Sequence, residues 1–162
     1  MDLLVAHRRG MWKEIGGATP KELAAADPVY RHWALEGLRE GWLLAFVAED
    51  DRGRALGSGA LWLAPSQPRP GRLARSRLPY ILSMYTLPSA RGRGVASALV
   101  GEMVRWAEAH GYPRVTLHAS VQGRPVYERL GFVASNEMRR ELPARARGRG
   151  SDRPGRSRAP AG

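Results

Sequence analysis

Residues Pro79–Ala109 read PYILSMYTLPSARGRGVASALVGEMVRWAEA. Tyr80–Leu87 is apolar and β-prone, and Pro88 closes it. A short glycine-rich turn follows, and then apolar residues return at helical spacing. Val95, Leu99, Met103 and Trp106 recur at steps of four, four and three, with Val100, Val104 and Ala107 beside them. One face of such a helix is apolar and must pack on something. The stretch predicts strand, tight loop and helix, with the helix lying on a sheet.

The junction between strand and helix is Arg91-Gly92-Arg93-Gly94-Val95-Ala96. Glycines let the backbone turn sharply and bring its N–H groups close to a ligand. The first turn of a helix carries unpaired N–H donors and a partial positive charge, so a phosphate is its natural guest. The same tetrapeptide, Arg-Gly-Arg-Gly, recurs at residues 147–150, without a strand before it or a periodic helix after it. Context, rather than spelling, distinguishes the first copy as a phosphate loop.

Working outward, the N-terminal side starts with Leu4, Val5, Met11, Trp12 and Ile15, an amphipathic set that predicts a helix over about Leu3–Ile15, stopped by Gly16-Gly17. Thr19-Pro20-Lys21-Glu22 places threonine at an N-cap, proline at the first helical position and glutamate where a capping box needs it. Asp27-Pro28 is expected to reset the chain, and a further helix runs from Tyr30 to Gly41. Trp42–Glu49 and Ala55–Ala64 predict an antiparallel hairpin about the polar turn Asp50–Arg54. Pro65–Pro79, rich in proline and arginine, is expected to be a long loop.

C-terminal to the central stretch, Arg114–Ser120 (RVTLHAS) predicts a strand, with Thr116, His118 and Ser120 on one side and Val115, Leu117 and Ala119 on the other. A helix is expected from Arg124, with Pro125 in its first turn, to a Gly131 cap. Phe132–Leu142 is expected to supply one or two closing strands. Strand, helix, strand and helix in succession imply a right-handed parallel crossover, while the earlier hairpin is antiparallel. The expected fold is α/β, with a mixed central sheet flanked by helices.

Composition limits the functions available. A chain of 162 residues with 43% apolar content suits one domain with a sizeable core. The expected division is a folded domain over residues 1–143 and a basic tail over 144–162. No apolar run approaches the roughly 20 residues a membrane helix needs, and the N-terminus lacks a signal-peptide plan, so a soluble, cytoplasmic protein without membrane contact is expected. Zero cysteines exclude disulfides, thiolate metal sites and a cysteine nucleophile. His7, His32 and His110 show no metal-site spacing and are read as surface or partly packed residues, and no metal is expected. The five tryptophans are expected in the core, with Trp33 and Trp62 also placed to line a cleft.

The net charge of +11 rests almost wholly on arginine, since Lys13 and Lys21 are the only lysines. The residues from Ala144 onward contribute six arginines and one aspartate, and residues 1–143 remain basic without them. Anionic partners follow: a phosphorylated ligand, an acidic surface or nucleic acid. Weak nonspecific nucleic-acid binding through the tail is one such expectation, although the tail has no aromatic residues for stacking bases.

Arg91–Ala96 resembles the R-x-x-G-x-A loop of the GCN5-related N-acetyltransferase (GNAT) family, which holds the pyrophosphate of acetyl-CoA. Pro125-Val126-Tyr127-Glu128-Arg129-Leu130-Gly131-Phe132 is similar to that family's Y-E-x-L-G-F signature, in the same order and on the expected element. The resemblance covers about Ala55–Phe132. It implies acetyl transfer from acetyl-CoA to an amine by direct attack in a ternary complex. It further implies cofactor contacts by Arg91, Gly92, Arg93, Gly94, Val95, Ala96 and Ser97, and a pantetheine arm held by Met84 and Thr86. A backbone N–H near Met84 or Tyr85 would meet the oxyanion, and Tyr127 would protonate the leaving thiolate.

A phenol of pKa about 10 is a suitable proton source for a thiolate of pKa about 8.5. The group that takes the amine proton is left open among His118, by its titration range and strand position, Glu40, Glu49 and water. The acceptor is open among small-molecule amines and peptide amines, and a homodimer is open too. Two departures from the family stand out: Ser120 where many relatives carry asparagine, and a chain that starts at the first helix, without the usual first strand. The competing readings are a basic nucleic-acid-binding protein and a non-catalytic CoA-binding sensor. No G-x-S-x-G element supports a hydrolase.

Overall fold

The computed structural model describes residues 1–68, 70 and 77–140. Helix α1 (Asp2–Ile15) and helix α2 (Pro20–Glu40) precede an antiparallel hairpin of β1 (Leu43–Glu49) and β2 (Ala55–Pro65). Strand β3 (Arg77–Thr86), helix α3 (Val95–Ala109), strand β4 (Thr116–Leu117) and helix α4 (Arg124–Arg129) follow. The sheet runs in the order β1-β2-β3-β4, antiparallel across its first two pairs and parallel between β3 and β4. The mixed sheet flanked by helices is as the sequence predicts, and among the described residues no strand precedes α1.

Alternation along the strands divides the core between two faces. Ala60 packs with Leu4, Val5, Tyr30, Ala34 and Leu43 under α1 and α2. Its neighbour Leu61 packs with Ile81, Val100 and Met103 under α3. Each fully buried aliphatic side chain contributes about 1.5–3 kcal/mol, so the period-two pattern pins the register.

The Thr19 capping box forms as expected: the Glu22 N–H donates to Thr19 Oγ1 over 3.3 Å, and Glu22 Oε2 accepts from the Thr19 N–H over 2.8 Å. Pro28 does not reset the chain, because α2 runs through it to Glu40. An internal proline costs about 3 kcal/mol. Here buried Leu23 and Tyr30 lie on either side of it, and Arg9 Nε of α1 holds Asp27 at 2.8 Å. Packing on both sides of the proline overrides local preference.

The expected loop over Pro65–Pro79 is shorter than predicted, since Pro65 pairs with Arg77 and Leu63 with Pro79. Residues 69 and 71–76 of that loop lie outside the described residues. Pro79 turns its carbonyl toward Thr116, whose hydroxyl donates to it over 3.5 Å. Its missing N–H therefore falls where the ladder to β4 has not yet begun.

Two further expectations are corrected. The strand predicted over Arg114–Ser120 pairs only at Thr116 and Leu117, opposite Tyr80 and Ile81. Past that point β3 bulges, with Ser83 and Met84 opposing the single residue Gly59 between the Ala60–Leu82 and Ser58–Tyr85 pairs. Ser83 takes φ 54° there, a conformation costing a non-glycine residue on the order of 1 kcal/mol. The closing strands predicted over Phe132–Leu142 are absent from residues 132–140, where Val133 and Met138 are exposed and have no core to join. Phe132, at the start of that segment, is anchored against Tyr127. Residues 141–162, and with them the tail, lie outside the described residues. Among the described residues no helix is long and apolar enough to cross a membrane.

Candidate active site

The bulge at Ser83 changes the parity of β3. Leu82 packs under α1 and α2, yet Met84, two residues on, packs under α3. Tyr85 accordingly faces α1, with its ring 5.3 Å from the His7 ring. Because β4 stops at Leu117, the end of β3 has no parallel neighbour from Leu82 onward among the described residues, and a cleft of about 610 Å³ opens there.

Of the residues expected to hold the cofactor, Met84, Tyr85, Thr86, Arg91, Gly92, Gly94, Val95, Ala96 and Ser97 all line this cleft, as do Tyr127 and His118. Arg93 does not line it. Gly92 at φ 72° and Gly94 at φ 80° occupy left-handed conformations that other residues rarely tolerate. Gly94 is the N-cap of α3 and supplies no side-chain acceptor, and no acid lies in the helix's first turn. The leading N–H groups of α3 are thus left for an anion at the cleft.

Arg91 is committed on two sides. One of its guanidinium nitrogens lies 2.6 Å from both carboxylate oxygens of Glu14, and its Nε donates to the Thr86 carbonyl over 3.2 Å. Glu14, with Met11 and Ile15, brings α1 into the cleft wall. Sequence reasoning missed Glu14, since nothing local marks an exposed helical glutamate. Met11 and Ile15 were visible only as part of an amphipathic face.

Tyr127 projects from α4. Gly131, at φ 84°, folds the chain back so that the Phe132 N–H donates to the Tyr127 carbonyl over 3.0 Å. The Phe132 ring then meets Tyr127 edge-on at 5.9 Å. The phenol makes no hydrogen bond among the described residues, and burial pushes its pKa upward. Ser120, where the family resemblance leads one to expect asparagine, also lines the cleft, but its hydroxyl accepts from the Gly123 N–H over 3.1 Å and so starts the turn into α4.

His118 lies on the α1/α2 side of the sheet. Its Nδ1 meets the Tyr80 hydroxyl, and its Nε2 is 3.2 Å from Glu137 Oε1. A carboxylate can only accept, so Nε2 carries the proton and Nδ1 accepts from Tyr80. Burial raises the Tyr80 pKa, with the Glu137 charge adding to the rise against the lowering effect of the His118 hydrogen bond. Glu40 and Glu49, the other candidates for proton acceptor, line neither this cleft nor the one beside it; Glu40 pairs with Arg39 at 3.1 Å at the far end of α2.

The second cavity, about 540 Å³, lies between α1 and α2 and shares Met11, Leu82 and Ser83 with the first. Trp12, Tyr30 and Trp33 give it an aromatic wall. The rings continue along the sheet: Trp33 to Trp62 at 6.3 Å, Trp62 to Tyr80 at 6.2 Å, and Tyr80 to His118 at 5.6 Å. Trp33 therefore lines a cleft as expected, whereas Trp62 belongs to the adjoining row. Trp12 is 38% exposed and not a core residue. His7 is likewise corrected: it is 5% exposed, and its Nδ1 lies 2.8 Å from Ser58 Oγ.

The sequence model of the Acetyltransferase (GNAT) family matches residues 9–132. A glucosamine 6-phosphate N-acetyltransferase from Trypanosoma brucei brucei is 31% identical over 105 residues, covering 64% of this chain and 69% of that protein. Among solved structures, a GCN5-related N-acetyltransferase from Ralstonia eutropha JMP134 is similar with a TM-score of 0.76 and 30% identity, over 87% of this chain and 91% of that one. A predicted acetyltransferase from Clostridium acetobutylicum, solved with acetyl-CoA, is similar with a TM-score of 0.76 and 26% identity, over 87% of this chain and 88% of that one.

Proposed function

The chain belongs to the GNAT acetyltransferase family and is an acyl-CoA-dependent N-acetyltransferase with acetyl-CoA as its donor, and on that premise we propose a direct transfer in a ternary complex at the cleft beside β3. The observation that carries this reading is the convergence of three separate segments on one cleft: the end of β3, the glycine loop with the first turn of α3, and Tyr127 of α4. The loop and helix terminus receive the pyrophosphate, and Met84 and Thr86 hold the pantetheine arm.

In the transfer, a neutral amine attacks the thioester carbonyl. The C–N bond forms, and a backbone N–H of Met84 or Tyr85 stabilises the oxyanion. The C–S bond then breaks, and Tyr127 gives its proton to the departing thiolate. Its raised pKa keeps the phenol protonated throughout the neutral range.

The amine must also lose a proton. His118 lines the cleft and takes this proton on Nδ1, the Tyr80 hydroxyl yielding that nitrogen as it does so. Glu137 then faces an imidazolium and stabilises its charge. In this reading His118 is the base, with Tyr80 and Glu137 positioning its imidazole.

Thermal unfolding with acetyl-CoA, against ATP at equal concentration as a control for generic phosphate binding, tests the cofactor site. Ligand at 100 times its dissociation constant adds about 2.7 kcal/mol and shifts Tm by several degrees. A shift with acetyl-CoA and little with ATP is expected, followed by thiol release on adding an acceptor amine. Equal shifts would mean a basic surface rather than a cofactor site.

A further inference from the structure

The second cavity joins the first at Met11, Leu82 and Ser83, so a molecule seated in it reaches the acyl-transfer centre from the α1/α2 side of the sheet. Among the described residues no acid lines it; its walls are aromatic and aliphatic apart from Ser83 and Arg8. A polyamine would therefore enter with charges that nothing in the pocket meets, at a desolvation cost.

Arg8 distinguishes the pocket. Its guanidinium lies 4.5 Å over the Tyr30 ring centroid and 5.8 Å from that of Trp12. Its neighbour Arg9 is paired with Asp27, and Arg31 with Asp2, whereas Arg8 has no carboxylate partner among the described residues. Stacking occupies the face of a guanidinium and leaves its in-plane N–H donors free, in the fork that suits a carboxylate. A partly buried cation beside aromatic walls attracts an anion that brings an apolar body with it.

We propose that the acceptor is a monoamine with a flat apolar body and a carboxylate, the body lying against Trp12, Tyr30 and Trp33 and the carboxylate meeting Arg8. The proposal rests on the acetyl-transfer reading above, and concerns which amine that reaction takes. It sets the acceptor apart from polycations, which the pocket repels, and from strongly hydrated amino sugars, whose hydroxyls would find few partners here.

The test uses the full chain, saturating acetyl-CoA and thiol release as the readout. Two matched pairs separate the carboxylate from the body: L-phenylalanine against phenylethylamine, and 4-(aminomethyl)benzoate against benzylamine. Spermidine and glucosamine 6-phosphate stand for the excluded classes. In at least one pair the carboxylated member is expected to show a kcat/KM about tenfold above its partner, from one charge-assisted contact. Arg8→Gln is expected to erase that advantage while leaving the partner that lacks the carboxylate within about twofold and the acetyl-CoA thermal shift unchanged.

Preference for spermidine or glucosamine 6-phosphate, no carboxylate advantage in either pair, or an equal loss on both members in Arg8→Gln would overturn the proposal. Quenching of tryptophan fluorescence by the carboxylated amine, weakened in Arg8→Gln, gives a binding readout apart from turnover. Absence of any acetyl-CoA shift would instead remove the acetyl-transfer reading itself, and this inference with it.

Discussion

Glu14 of α1 and Arg91 of the glycine loop, 77 residues apart in sequence, meet with one guanidinium nitrogen 2.6 Å from each carboxylate oxygen. The pair joins the first helix to the loop proposed to receive a pyrophosphate. Both groups are partly exposed, so the pair is screened and contributes on the order of 1 kcal/mol or less. A bound pyrophosphate would compete with Glu14 for Arg91. Glu14→Gln should therefore tighten acetyl-CoA binding about two- to fivefold in calorimetric titration, with the gain shrinking at high salt. Weaker binding in this variant would show that Glu14 orients Arg91 rather than competing for it.

Gly94 has φ 80° and open space around it, so Gly94→Ala meets backbone strain without a steric clash. A cost of about 1–2 kcal/mol is expected, with a Tm lower by several degrees and weaker acetyl-CoA binding as the loop relaxes. An unchanged affinity would separate the loop's conformation from cofactor recognition.

Tyr127→Phe removes a hydroxyl that has no hydrogen-bond partner among the described residues. Stability should change little, while kcat falls about a hundredfold and the KM for acetyl-CoA stays close to its original value. An unchanged kcat would leave Tyr127 only its ring packing against Phe132.

His118→Gln removes the base and Tyr80→Phe loosens its imidazole, so His118→Gln should lower kcat more and the double variant should be little slower than His118→Gln alone. Glu137→Gln leaves the base in place and should also cost less than His118→Gln. Full additivity in the double variant would mean that Tyr80 does not act through His118.

Burial holds the His7 pKa below its ordinary value near 6.5. The unfolded chain therefore takes up a proton at a higher pH than the folded chain does. The resulting stability is fully present above about pH 6.5 and is lost as pH falls toward the lower folded value. Tm measured from about pH 7.5 to about 5.5 should fall in the wild type and fall less in His7→Gln. Parallel slopes would place the titrating group elsewhere.

The fold was legible wherever one segment carried its own signal. The period of α3, the Thr19 capping box and the polar turn at Asp50 each specify a local element whose free energy depends on near neighbours. The errors fall where distant contacts decide. α2 continues through Pro28 because Tyr30 and Leu23 are both buried, and β4 ends at Leu117 because β3 bulges at Ser83. Neither cause is adjacent in sequence to its effect.

The same division runs through the site. Sequence by itself determined the glycine loop at Arg91–Ala96, which we propose accepts phosphate, and the tyrosine signature around Tyr127, because backbone freedom at glycine, a helix terminus and a folded-back Phe132 are local properties. Only the tertiary structure decided that Glu14 holds Arg91, that Tyr80 and Glu137 flank His118, and that Arg8 stands beside an aromatic pocket with no carboxylate partner among the described residues. Those relationships join elements on the α1/α2 face of one sheet, and their geometry follows from helix packing and a single bulge, which no spacing along the chain records.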